Sequence, residues 1–127
     1  MKKRIVPILL AALLLAGCHQ KHTEAFPVVT RIEVTRENTG HRQIYVHDAQ
    51  MRPILNALRL IGHRHRPERD PEGLNAPTWS ITVTHSDGSA QKYRIKADLY
   101  IQEGRGPWQQ ADPERLEALT ALLEASL

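Results

Sequence analysis

The sequence has 127 residues, room for one small domain. Its 17 Lys and Arg outnumber 14 Asp and Glu, but three of the bases, Lys2, Lys3 and Arg4, precede an apolar run at the N-terminus. A chain cut after Gly17 would keep 110 residues with 14 charges of each sign, a balance that excludes nucleic acid as a partner because phosphate binding needs a cationic excess.

Met1 to Gln20 reads as a leader. A positive start is followed by the apolar run Ile5 to Ala16, interrupted only by Pro7, and by small residues before Cys18. The run is about a dozen residues, short of the roughly 20 that a spanning helix needs. Leu15-Ala16-Gly17-Cys18 resembles a bacterial lipobox. The resemblance implies cleavage before Cys18, a diacylglycerol on its sulfur, and acylation of the new amino group with a chain such as palmitate. An ordinary secretory signal with a stray cysteine is the alternative. By the same resemblance His19, where inner-membrane lipoproteins carry Asp, favours the periplasmic side of the outer membrane. The expected organisation is a signal over 1–17, a lipid-anchored tether over 18–26, and a single domain over 27–127. Cys18 is the only cysteine, so the domain has no disulfide to rely on.

Val28, Thr30, Ile32 and Val34 alternate with Val29, Arg31, Glu33 and Thr35, which predicts a half-buried strand. Glu37 to Gly40 is a turn cluster. Ile44 and Val46, alternating with Tyr45 and His47, complete a hairpin with the isoleucine and valine inward. Asp48 is the expected N-cap of a helix whose apolar face is Met51, Ile54, Leu55, Leu58 and Ile61. Pro53 is tolerated early or marks the true start, and Gly62 stops the helix. His63 to Pro77 holds three prolines and mixed charges and reads as a long loop, functional or mobile, in which nothing needs a fixed shape.

Trp79, Ile81 and Val83 form the inward side of the next strand. Asp87-Gly88 is a hairpin signal. Tyr93, Ile95 and Ala97 return, with Leu99 and Ile101 continuing the rhythm. Gly104 to Pro107 turns again, and Trp108 opens a short last strand. Asp112-Pro113-Glu114 starts a helix, with the cap, the ring at N1 and an acid in the first turn. Its face is Leu116, Leu119, Leu123 and Leu127, with Leu122 beside them. The predicted fold is two-layer α+β: an antiparallel sheet of about five strands with two helices on one face, in the order strand-strand-helix-strand-strand-strand-helix. Trp79 and Trp108 are both expected in the core.

No nucleophile elbow, P-loop, dinucleotide glycine fingerprint or HExxH occurs, so the chain is expected to be a non-enzyme without a cofactor. A hydrolase or carbohydrate-binding site assembled only in space is the residual alternative. Of the seven histidines, His63 and His65 could present two imidazoles to zinc, copper or nickel, joined by His41, His47 or His85. Arg64, Arg66 and Arg69 among them oppose a cation, and a solvated charged loop is the simpler reading. The outward sheet face holds more promise. Tyr45, Lys92, Arg94, Lys96 and Tyr100 are the expected protein-binding residues, since tyrosine and arginine are favoured at interfaces.

In size and lipobox the chain is similar to the membrane-bound lysozyme inhibitors. Those use a cysteine pair in their β-rich body, whereas no cysteine follows Cys18 here. It is also similar in size to the small lipoprotein of the outer-membrane barrel assembly machine, whose helices precede its strands. Only the lipoprotein class carries over. The expected function is a non-enzymatic envelope lipoprotein that binds another envelope protein, with a periplasmic metal-binding protein as the alternative.

Overall fold

The computed structural model describes residues 28–62 and 64–126, with no account of the Ser126 side chain. The leader, the tether with Cys18, His63 and Leu127 lie outside the described residues. Strands β1 (Val29–Arg36) and β2 (His41–Tyr45) form a hairpin, followed by helix α1 (Asp48–Arg59) and the two-residue strand β3 (Arg64–His65). A 3-10 turn at Pro71–Gly73 leads into β4 (Thr78–His85), β5 (Ala90–Lys96), β6 (Tyr100–Glu103), β7 (Trp108–Ala111) and helix α2 (Pro113–Ser126). The strands make one open antiparallel sheet in the order β2-β1-β4-β5-β6-β7-β3. The fold is α+β as expected, with seven strands rather than five.

One extra strand comes from the loop, as β3. The other comes from the segment after Ile95. Ala97 and Asp98 have φ of 59° and 53°, a left-handed pair that reverses the chain and sets Lys96 opposite Tyr100. The apolar rhythm through Leu99 and Ile101 thus spans a turn, and Ile101 lies beside Ile95 on the neighbouring strand.

The core lies between the sheet and both helices. Ile32, Val34, Ile81, Ile95 and Ile101 from the sheet pack with Met51, Ile54 and Leu58 of α1 and Leu116, Leu119 and Leu123 of α2. Each fully buried aliphatic side chain contributes about 1.5–3 kcal/mol, which gives a chain without disulfides its cohesion. Helix α2 begins as its sequence predicts: Asp112 Oδ1 accepts from the Glu114 backbone amide at 3.0 Å. Helix α1 differs by one residue. Its N-cap is His47, without a side-chain cap bond, and Asp48 instead pairs with Arg52 one turn on. The helix starts at Asp48 and runs through Pro53.

Strand β2 corrects a prediction. The four residues Glu37 to Gly40 close the hairpin so that Arg36 faces His41, which carries Tyr45 opposite Ile32. Tyr45 is therefore buried in the core on the helix side, and Ile44 faces outward beside Glu33 with 42% exposure. Both choices of register place an apolar residue inward, so composition does not decide between them; the turn length does.

Candidate interaction surface

Strand alternation puts Glu33, Thr35, Ser80, Thr82, Lys92, Arg94, Lys96, Tyr100, Gln102 and Trp108 on the sheet face away from the helices. This outer face divides into two halves.

Over the C-terminal end of β5, at Arg94 and Lys96, and over β6 and β7 the chain covers itself. The segment between β3 and β4 runs across the face as a strap, held at its 3-10 turn. Lys96 Nζ donates to the Pro71 carbonyl at 2.9 Å, and the Trp108 indole N–H donates to Glu72 at 2.7 Å. The Arg94 guanidinium lies 5.3 Å from the Trp108 ring centre and Lys96 Nζ lies 5.6 Å from it, both within cation–π range. Arg94 also makes two 3.0 Å hydrogen bonds to the Glu37 carboxylate, which accepts a further bond from the Ser80 hydroxyl. The Arg94 and Ser80 hydrogen bonds hold the Glu37 carboxyl below its ordinary range, against the upward push of partial burial. The same pairing raises Arg94.

The strap corrects the reading of 63–77 as shapeless. It also removes Trp108 from the core: the ring is buried, but on the outer side, under the strap. The signal for this was present. Asp70-Pro71-Glu72 repeats the Asp112-Pro113-Glu114 triplet that starts α2. Asp70 Oδ1 accepts from the Glu72 amide at 3.0 Å, as Asp112 does from Glu114. The local rule acts at both sites; the first turn is not extended because Gly73 and the following residues supply no helical apolar face.

Over β2, β1, β4 and the N-terminal end of β5, where Lys92 lies, the outer face is bare: among the described residues no element packs across it. Arg31, Arg42, Ile44 and Lys92 are exposed there, with Thr82 and Thr84 half-buried between them. Glu33 bonds both Arg31, at 2.8 Å, and Arg42, at 3.2 Å. These bonds, that to Arg31 first, hold the Glu33 carboxyl below its usual range. One carboxylate shared by two guanidiniums, with Lys92 nearby, leaves the half with a cationic surplus. Among the described residues β2 is also the sheet's edge, so its outer backbone groups are open to pairing.

Of the five predicted contact residues, only Lys92 sits on the bare half. Arg94 is half-buried and engaged by Glu37 and Glu72. Lys96, at 6% exposure, and Tyr100, at 5%, lie beneath the strap, and Tyr45 faces the opposite layer. The sequence pattern missed Arg42 and Ile44, because the β2 register was open, and Glu37 and Glu72, because ion pairs across a sheet leave no spacing signature.

The histidines disperse. His41 and His65 stand on opposite edge strands, six strand spacings or roughly 29 Å apart at about 4.8 Å each. The His65 ring lies 3.1 Å from the Arg66 carbonyl, and His85 belongs to the helix side of β4. Among the described residues no group of three His, Cys, Asp or Glu is placed to hold a metal ion. No family model matches the chain, and neither a curated protein nor a solved structure does.

Proposed function

We propose that the protein is a lipid-anchored envelope lipoprotein, tethered through Cys18 on the periplasmic side of the outer membrane. There it acts as a non-enzymatic module that binds another envelope protein through the bare half of its sheet. The lipobox supports the anchor. The observation that carries the binding role is the division of the outer face: the chain spends a strap on covering one half and leaves the other exposed. That bare half presents Arg31 and Arg42 near Ile44, with Lys92 three strands across, beside the β2 edge, which no other described strand pairs. An edge strand with an exposed aliphatic residue is a template for strand addition, and a cationic rim selects an acidic partner segment. The contact proposed from sequence thus moves from Arg94, Lys96 and Tyr100 to Arg42, Ile44 and Lys92.

The test is crosslinking in the intact cell with photoreactive residues at Ile44 and Lys92, against Gln102 as a control on the β6 strand. A discrete adduct at Ile44 and Lys92 that Lys92→Glu weakens supports the reading. Adducts only at Gln102, or none with anchoring verified by fatty-acid labelling that Cys18→Ser abolishes, would reject it. Loss of labelling in Cys18→Ser also tests the anchor separately from the binding role.

A further inference from the structure

We propose that the cleft between α1 and the helix side of the sheet binds a small molecule with an apolar body and a carboxylate end. This cleft lies on the opposite face from the proposed protein contact and does not depend on it. It encloses about 340 Å³, at the small end of the roughly 300–1,000 Å³ typical of ligand sites. Its floor is apolar: Val29 from β1, Val83 from β4, and Leu55 and Leu58 from α1. The rest of its lining is polar: Arg59, Arg64, His85, Gln91 and Tyr93, with Gly62. An apolar floor with a few converging polar groups is the usual construction of a small-molecule site.

The charges decide the ligand's polar end. Arg59 and Arg64 carry two positive charges, and Glu103, which accepts from Arg64 at 2.7 Å, offsets one. The C-terminus of α1 adds roughly half a negative charge, so the rim keeps a positive balance. Arg59 gives one guanidinium nitrogen to Asn56 Oδ1 at 2.9 Å, and a guanidinium has five N–H donors in all. The buried Nδ1 of His85 has no hydrogen-bond partner among the described residues. In its N–H tautomer that nitrogen can donate to a ligand oxygen once the ring turns toward the cleft. Burial, then the Glu103 charge, raises the Tyr93 phenol, so it remains a donor into alkaline solution. The Arg59 and Arg64 guanidiniums and the Tyr93 hydroxyl are donors and suit an oxygen anion. A larger depression, about 560 Å³ between β1 and α2, is less suited: its one guanidinium, Arg36, is already paired with Glu124 at 2.7 Å.

The proposal is tested with three isosteric probes, 3-phenylpropanoate, 3-phenylpropanol and 3-phenylpropylamine, titrated into the isotopically labelled full chain and followed by amide chemical shifts. The expected result is saturable shifts at Val29, Leu58, Val83 and Tyr93, with the acid binding at least tenfold tighter than the alcohol or amine. Arg59→Ala should weaken the acid about tenfold, the size of one charge-assisted hydrogen bond. Gln91→Trp, which fills the mouth from an exposed position, should abolish the shifts. The proposal is overturned by an absence of saturable shifts in the cleft, by shifts centred elsewhere, or by alcohol or amine binding as tightly as the acid. If Gln91→Trp fails to fold, unchanged affinity in Arg59→Ala overturns it alone.

Discussion

The two halves of the outer sheet face start from similar chemistry and end differently. Both carry cations and hydroxyls on alternate strand positions. On the β5–β7 half, Trp108 supplies a large apolar surface that cannot be left in water without cost, and the strap covers it. On the bare half the described outward side chains of the strands are threonines and ion-paired charges, already content with solvent, with Ile44 the exposed aliphatic among them. The difference shows why a row of Lys and Arg on a strand does not define a binding surface. Arg94 and Lys96 are spent on holding the chain's own strap, while Arg42 and Lys92 remain available to a partner.

This contrast is easiest to break at Trp108. Trp108→Ala removes the ring over which both cations lie and the donor to Glu72. The expected loss is about 3 kcal/mol by urea denaturation, with faster tryptic cleavage after Arg69 as the strap detaches. Thr82→Ala on the bare half should stay within about 0.5 kcal/mol. Comparable losses at both positions would show that the halves are not different in kind.

Lys92→Glu should cut partner capture about tenfold while leaving stability unchanged, since a rim charge acts on association rather than folding. Lys96→Met should do the reverse, losing about 1–2 kcal/mol with the Pro71 hydrogen bond and leaving capture intact.

A smaller effect is expected at Glu37. Its carboxyl is depressed in the folded chain, so its contribution to stability is present above its ordinary value of 4.5 and is lost as pH falls through the folded value. Glu37→Gln should cost about 1 kcal/mol at pH 7. It should also flatten the acid limb of the stability curve below about pH 4.5. An acid limb unchanged by the substitution would place the titrating groups elsewhere.

The smallest effect sharpens the comparison from the other side. Arg31→Ala and Arg42→Ala each break one exposed bond to Glu33, and thermal unfolding should shift by less than the equivalent of about 0.5 kcal/mol. A larger loss would mean that the bare half is held by its ion pairs and is not simply exposed.

The elements that depend on neighbours along the chain are legible in the residue pattern. Period-two alternation located β1, β4 and β5, the Asp-Pro-Glu triplet started α2, and the leucine spacing chose that helix's buried face. These features are decided within a few residues, by backbone geometry and by which side of an element meets water. The remaining features depend on contacts between distant segments. The four-residue turn chose the β2 register and turned Tyr45 inward. The left-handed pair at Ala97 and Asp98 split one apolar run into two strands. The strap, which needs Trp108 to lie near Pro71 and Glu72 from far along the chain, took Lys96 and Tyr100 out of reach. Each of these turns on which distant residues become neighbours, and the spacing of residues in one chain carries no record of that.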